Sequence, residues 1–135
     1  MRVSNLIYKA SKKFNIPAEI YTAIIMQESA YRLAAKNIQC GLDKETRTVY
    51  RCVLADIGIA QINSRTAEVY GFDLYLLLND LEYSINAGAE VLSYFKKRFA
   101  KKEPDFWVRY NCGTRSTTKR LTCMRYKELV SRYFQ

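Results

Sequence analysis

The chain has 135 residues and a mass of 15.8 kDa, which suits a single domain over residues 1–135 with its own hydrophobic core. Apolar residues make up 49% and charged residues 26%, a composition typical of globular proteins and not of disordered ones. The net charge is +9 and there is no histidine, which excludes Ser-His-Asp and Cys-His catalysis and histidine-containing zinc sites. Proton transfer therefore depends on carboxylates, tyrosine, lysine or cysteine.

Six helices are predicted from apolar positions that recur every three or four residues and from residues that typically begin or end helices. In the long one, Asn79 is the predicted N-cap, the apolar stripe ends at Phe99, and lysines and arginines cluster at the C-terminal end, where they are favourable. The predicted helices are, in chain order, residues 3–14, Pro17 to residue 30, a short helix after Ser64, residues 80–99, Pro104 to residue 110, and residues 121–134.

The segment 32–57 breaks this helical pattern. Residues 46–52 alternate apolar and polar side chains, as in a short strand. Irregular segments of this length are usually functional. The sequence therefore predicts a mainly α (α+β) fold with a short, disulfide-pinned β-like insertion around residues 32–57, with a simple α-bundle as the alternative.

The four cysteines bear on the cellular compartment. Cys40 and Cys52 enclose 11 residues and Cys112 and Cys123 enclose 10, whereas four-cysteine zinc sites have two pairs with about two to four residues inside each. Two local disulfides suit this spacing and imply an oxidising compartment such as the periplasm. Four reduced thiols in a cytosolic protein are the alternative, since sequence alone does not fix connectivity.

The N-terminal segment and the charge distribution add two expectations. Residues 1–17 lack the apolar region of a secretory signal, so we expect a mature form without its signal, and no apolar run is long enough to span a membrane. Residues 1–95 carry ten basic and ten acidic side chains, whereas residues 96–135 carry twelve and three. This asymmetry indicates an anionic partner, such as nucleic acid, acidic lipid or cell wall, or a basic face that serves solubility.

Three clusters contain side chains suited to catalysis: residues 27–31, 56–64 and 109–113. Glu28 lies near the predicted C-terminal end of a helix, where unpaired carbonyls and apolar neighbours such as Ile24 and Ile25 raise the pKa of a carboxyl group. A raised pKa is what a general acid needs near neutral pH. Taken alone, a glutamate in a helix is more often exposed than catalytic.

Together, the clusters resemble the soluble lytic transglycosylase (goose-lysozyme-like) family, in particular its small members associated with secretion and conjugation machines. The likeness covers nearly the whole chain in the expected order. The family's motifs correspond here to Glu28-Ser29, Gly58-Ile59-Ala60-Gln61-Ile62, Asn86-Ala87-Gly88, Arg109-Tyr110-Asn111 and Tyr126.

The resemblance implies a lysozyme-like fold and cleavage of the β-1,4 bond between N-acetylmuramic acid and N-acetylglucosamine in peptidoglycan, without water. Glu28 would protonate the glycosidic oxygen, the substrate's acetamido group would replace a second carboxylate, and a 1,6-anhydro sugar would be released. Tyr110 would donate a hydrogen bond to Glu28, while Gly88 and Tyr126 are expected to be largely structural. The residues implied to bind substrate are Ser29, Gln61, Asn63, Tyr110, Asn111 and Tyr126.

Three positions qualify this assignment. Ala60 replaces a methionine of the family, which predicts a shallower cleft wall, and Cys112 is expected to fix the neighbouring loop by its bridge to Cys123. Residues 56–65 also resemble animal-type lysozymes, in which an aspartate is the second carboxylate, so Asp56 is a candidate for that role. A turn or capping role for Asp56 is favoured.

Three functions stay open at this point. The first is a periplasmic, monomeric transglycosylase that opens the wall locally for an envelope-spanning secretion or conjugation machine. The second is a lysozyme-type hydrolase that uses Glu28 and Asp56, and the third is a non-catalytic basic domain that binds glycan or nucleic acid. We expect peptidoglycan as partner, and no cofactor, metal, nucleic acid or membrane span. The cations expected to face the acidic stem peptides near the cleft are Arg115, Lys119, Arg120 and Arg125.

Overall fold

Helices dominate the computed structural model, which describes residues 2–32, 36–42, 49–114 and 120–134, with the backbone alone for residues 36–42 and 49–55. Of the cations expected near the cleft, Arg115 and Lys119 lie outside the described residues. The elements are α1 (Arg2–Phe14), α2 (Ala18–Ser29), β1 (Lys36–Leu42), β2 (Val49–Ile57), β3 (Ile62–Asn63), α3 (Ser64–Tyr70), α4 (Leu74–Asn79), α5 (Leu81–Phe99), a 3₁₀ turn (Phe106–Val108), α6 (Arg109–Cys112) and α7 (Leu121–Ser131).

The first two helices form a hairpin that closes on the long helix α5. Asn15 follows α1 with a φ of 55°, and Pro17 is the N-cap of α2, with a φ of −67°. Proline was predicted as the first helical residue, one position further in, and its fixed φ suits either place. Ile7 of α1 and Ile24 of α2 are both fully buried, so the hairpin contributes its inner faces to one core.

Helix α5 runs through the centre of the molecule, and nine of its nineteen residues are buried. The N-cap prediction was wrong by one residue. Asp80, not Asn79, caps α5, because its Oδ1 accepts a hydrogen bond from the Tyr83 amide at 2.9 Å. Asn79 instead ends α4, a short helix that the sequence pattern did not predict, and donates from Nδ2 to the carbonyl of Tyr75 at 3.0 Å.

The β-like insertion is an antiparallel sheet in the order β1-β2-β3. The described part of β2 begins at Val49 and continues to Ile57, beyond the predicted strand, while residues 46–48 lie outside the described residues. The backbone register places Cys40 opposite Cys52, although the side chains of that predicted bridge lie outside the description. Asp56 pairs with Asn63 across β2 and β3, so Asp56 is a strand residue. The expected turn or capping role was wrong.

The C-terminal third contains shorter and more numerous helical segments than predicted. A single helix from Pro104 was expected, but a 3₁₀ turn leads into the four-residue helix α6, and α7 ends at Ser131. The predicted disulfide between Cys112 and Cys123 is confirmed, with the two Cα atoms 5.7 Å apart. It joins the end of α6 to the first turn of α7.

The architecture is a mainly α, lysozyme-like fold with one small sheet, as the sequence predicts. Over the described residues, no helix has the length and apolar character needed to cross a membrane.

Candidate active site

A cleft of about 1000 Å³ lies between the sheet and α3 on one side and α5 and α6 on the other. Most of the residues predicted from the three sequence clusters meet here, although they come from four different elements. The predicted residues that line the cleft are Glu28, Asp56, Gln61, Asn63, Tyr110, Asn111 and Cys112.

Of the carboxyl groups in this cleft, Glu28 has the pKa that is shifted furthest from its ordinary value. It lies in the last turn of α2, before Ala30 ends the helix in the left-handed conformation. Burial raises its pKa from 4.5 to about 7; the nearby Tyr126 hydroxyl opposes the rise, and the Asp56 charge adds to it. A carboxyl group with this pKa is partly protonated at neutral pH, so it is able to donate a proton there.

Asp56 faces the same cleft from β2 and is held by a neighbour in the sheet. The Asn63 amide donates from Nδ2 to Asp56 Oδ1 at 3.2 Å. Asn63 Oδ1 in turn accepts from the Arg65 amide at 3.0 Å, as the N-cap of α3. Burial raises the pKa of Asp56, and the hydrogen bond from Asn63 opposes that rise. The side chain of Asn63 therefore both begins α3 and orients Asp56.

The motif at 58–62 is a tight turn that brings Gln61 into the cleft. Gly58 has a φ of +79°, and a Cβ there would overlap the carbonyl oxygen of Leu77 and lie 2.9 Å from the Ser84 hydroxyl. Gln61 has a φ of 50°, and both its backbone amide (3.0 Å) and its Nε2 (2.9 Å) donate to the Gly58 carbonyl. The glycine is thus required by both its conformation and its surroundings.

Ala60 was expected in the cleft wall, and that expectation was wrong. Its side chain is completely buried and packs against Gly88 of α5, where an added Cβ would lie 2.7 Å from the Cβ of Ala60. The Tyr110 hydroxyl donates to the Ala60 carbonyl at 2.6 Å, so its proton is not directed at Glu28 as expected. Tyr110 therefore links α6 to the 58–62 turn while its ring lines the cleft.

Two other predicted substrate-binding residues lie behind the cleft. Ser29 is 1% exposed, and its hydroxyl donates to the Ile25 carbonyl of its own helix at 3.2 Å, so it does not line the cleft. Tyr126 of α7 is also buried and lies beside Glu28, whose pKa it lowers. In the part of the chain that the structure describes, its buried hydroxyl forms no hydrogen bond. Tyr126 therefore contacts the candidate acid from behind.

The short helix α6 is held in place by a partly buried ion pair as well as by the disulfide. The Arg109 guanidinium donates to both carboxylate oxygens of Glu103, at 3.1 and 2.8 Å, and lies over the Phe99 ring. Such a planar, bidentate pair fixes orientation as well as distance. It positions the backbone that presents Tyr110 and Asn111.

One end of the cleft was not predicted from the sequence. Phe95 of α5 was predicted only as part of the apolar stripe of that helix, since core and cleft positions on one helix share the same period. The other side chains at this end come from α3 and α5, and no motif marks them: Thr66, Val69, Tyr70, Val91 and Tyr94. This apolar, aromatic end extends the cleft beyond the carboxyl groups.

Among the residues whose placement is described, no group of three or more cysteine, aspartate or glutamate side chains is arranged to hold a metal ion.

The transglycosylase SLT domain family model matches residues 5–128 of this chain. That match covers nearly the whole domain, and the chain belongs to this family. No curated protein gives a match. Membership supports lytic transglycosylase activity on peptidoglycan as the general function, consistent with a long cleft that contains one raised-pKa glutamate.

Proposed function

We propose that this protein is a peptidoglycan lytic transglycosylase in which Glu28 is the single acid and base. The observation that carries the proposal is the Glu28 carboxyl group, whose pKa is raised to about 7 in a cleft of about 1000 Å³. Burial is the main cause of that raised pKa, so the acid form persists where an exposed glutamate would be ionised.

In the first step, Glu28 donates its proton to the glycosidic oxygen between N-acetylmuramic acid and N-acetylglucosamine. The bond to the anomeric carbon breaks, and the substrate's acetamido oxygen stabilises the positive charge that develops there. The ionised Glu28 then accepts the proton of the C6 hydroxyl, whose oxygen forms the new bond to the anomeric carbon. The products are a free N-acetylglucosamine end and a 1,6-anhydro-N-acetylmuramic acid end, and Glu28 regains its proton.

The neighbouring residues position the sugar and the acid in this proposal. Gln61 and Asn111 line the cleft with amide groups suited to sugar hydroxyl and acetamido groups, and Tyr110 lines the same cleft. Tyr126 lies beside Glu28 and is itself buried.

A lysozyme-type hydrolase is the second candidate, and the position of Asp56 favours it. Asp56 lines the same cleft, and its charge raises the pKa of Glu28. A second carboxylate at this place is able to orient a water molecule or stabilise the oxocarbenium-like centre. Against this role, the Asn63 amide already occupies one oxygen of the Asp56 carboxyl group.

Mass spectrometry of the fragments released from purified peptidoglycan separates these functions. Anhydro ends on the N-acetylmuramic acid units released at the cut support the transglycosylase, whereas reducing ends on those units show a hydrolase. Release of no fragments, with wall binding retained, shows a non-catalytic glycan-binding domain. The Glu28→Gln variant is the control that excludes a contaminating enzyme.

We further propose that the protein works in the periplasm as a monomer and opens the wall locally for a secretion or conjugation apparatus. The Cys112–Cys123 disulfide supports an oxidising compartment. Cleavage assays on intact wall with and without a candidate assembly component test the second part, since a component that recruits the enzyme should increase fragment release.

A further inference from the structure

The C-terminal ends of α1 and α5 meet on one side of the molecule. The Lys96 ammonium group of α5 donates to the carbonyl of Asn15, which directly follows α1, at 2.6 Å. Around this contact, residues 8–16 and 94–102 carry no aspartate or glutamate. The eight cations of these segments form what we call the basic surface: Lys9, Lys12, Lys13, Lys96, Lys97, Arg98, Lys101 and Lys102.

These cations are exposed and unneutralised. All except Lys96 are exposed, and none forms an ion pair with a described residue. The nearest acidic residue after α5, Glu103, is already paired with Arg109. Cations near helix C-termini are favourable, but that effect falls off within the last turn, so it accounts for only some of them.

The basic surface is continuous with the apolar end of the cleft. Arg98 donates from Nη1 to the Tyr94 hydroxyl at 2.5 Å and lies over the Tyr94 ring, and Tyr94 lines the cleft. A polymer that leaves the cleft past Tyr94 therefore reaches Arg98 first and the lysines beyond it.

We propose that the basic surface is a second binding surface for the substrate polymer, which captures the carboxylates of the peptide stems where the strand continues past the apolar end of the cleft. This inference rests on the proposed function, since it takes peptidoglycan as the ligand. Exposed lysine side chains suit carboxylates that are spread along a polymer and mobile, because each contact needs no fixed geometry. Several weak contacts that engage together hold a polymer much more strongly than one.

Cosedimentation with purified wall tests this proposal, with all variants made in a Glu28→Gln background so that the wall stays intact. The test variant carries Lys12→Gln, Lys13→Gln and Lys101→Gln. At about 0.05 M salt we expect wall binding to weaken by about tenfold, from three exposed charge contacts. At about 0.5 M salt the difference from the parent should largely disappear, because screening shortens the range of the interaction.

A matched control variant removes the same charge elsewhere, with Arg2→Gln, Lys127→Gln and Arg132→Gln. Arg2 lies at the opposite end of α1, and Lys127 and Arg132 are already paired with Asp105 and Glu128. We expect the control to bind wall nearly as the parent does. Equal losses in the test and control variants would show an effect of net charge alone and would overturn the proposal.

Two further measurements identify the ligand. Wall whose stem carboxylates have been amidated should bind the test variant and the parent equally. If the test variant loses binding to phosphatidylglycerol vesicles but keeps wall binding, the surface faces a membrane and the proposal fails. With Glu28 intact, cleavage of soluble, peptide-free glycan strands of N-acetylmuramic acid and N-acetylglucosamine at saturating concentration should be the same with and without the three lysines. Absence of that cleavage in both would refute the proposed function, whereas the binding result stands independently.

Discussion

Glu28 and Asp56 face the same cleft with different surroundings, and that difference supports the separate roles proposed for them. Glu28 is the more deeply buried, lies beside Tyr126 and has a pKa of about 7, whereas Asp56 is fixed by the Asn63 amide. Sites that cleave glycans often contain two carboxyl groups whose different environments give them different pKa values. Glu28 is the group suited to proton donation.

Glu28→Gln should abolish wall cleavage, because the amide keeps the shape of the side chain but has no proton to donate. In the unmodified enzyme, the rate should fall as pH rises above about 7, as Glu28 loses its proton. Fragment release measured across the pH range checks both statements. Substantial activity in the variant would remove Glu28 from its assigned role.

Asp56→Asn should keep most of the activity and move the pH profile. The Asp56 charge raises the pKa of Glu28, so its removal should shift the basic limb of the profile to lower pH. A loss as large as that of Glu28→Gln would instead identify Asp56 as a required second carboxylate. The end groups of the products, measured for the same variant, distinguish a changed mechanism from a slower one.

The sequence predicted which residues would gather at the cleft better than it predicted where their side chains would point. The order of the family motifs along the chain was enough to predict that Glu28, Gln61 and Tyr110 lie in the same cleft. It did not show that Ser29 and Ala60 point into the core, because cleft-facing and core-facing positions in a short motif are separated only by local backbone geometry, such as the positive φ of Gln61. Tyr126 is the converse case, since a residue expected to be largely structural contacts the candidate acid.

At the scale of elements, the disulfide connects two parts of the site. Cys112 follows Tyr110 and Asn111 in α6, while Cys123 precedes Tyr126 by one turn of α7. The bridge therefore fixes the side of the cleft formed by α6 relative to the tyrosine that contacts Glu28. The ion pair of Arg109 and Glu103 supports the same segment from its other end.

The variant Cys112→Ser/Cys123→Ser should lose stability by about 3 kcal/mol, as expected for a loop of this size. It should also lose more activity than stability alone explains, because small displacements of positioning groups reduce the rate strongly. Urea denaturation and fragment release at a temperature where the variant is folded provide the comparison. The variant Cys40→Ser/Cys52→Ser is the control, and an equal loss of activity there would contradict a special role for the second bridge.

Helices were predicted correctly where apolar residues recur at helical spacing and a residue that typically begins or ends a helix lies at the boundary. The predictions of α1, α2, α5 and α7 are of this kind, and their bounds are correct to within a few residues. Helix α4 was missed because its core, Leu76–Leu77–Leu78, is apolar on every side and shows no period. The error at Asn79 has the same origin, since Asn79 and Asp80 are equally good caps and only the presence of α4 decides between them.

At the scale of the whole molecule, the candidate acid should lower stability at neutral and basic pH. Glu28 has a pKa of about 7 in the folded protein against 4.5 without its surroundings, so the folded state binds more protons between these values. Stability should therefore fall as pH rises from about 4.5 to about 7, by up to about 3 kcal/mol from this residue. Asp56, whose pKa is also raised, acts in the same direction.

Urea denaturation of the parent and the Glu28→Gln variant at about pH 4.5 and about pH 8 measures this effect. The variant should be the more stable of the two at the higher pH and should show a smaller difference between the two conditions. A parent whose stability rises over this interval would contradict the burial of the Glu28 carboxyl group.

The unequal burial of the two cleft walls has a consequence for how a long strand enters. Helix α5 contributes nine buried residues to the core, whereas α3 buries only Ala67 and α4 only Leu77. Amide hydrogens of α5 should therefore exchange with solvent only on near-global unfolding, while those of α3 and α4 exchange through smaller openings. We therefore expect the cleft to open on its α3 side when a polymer enters, while the α5 side keeps its position and aligns the sugars.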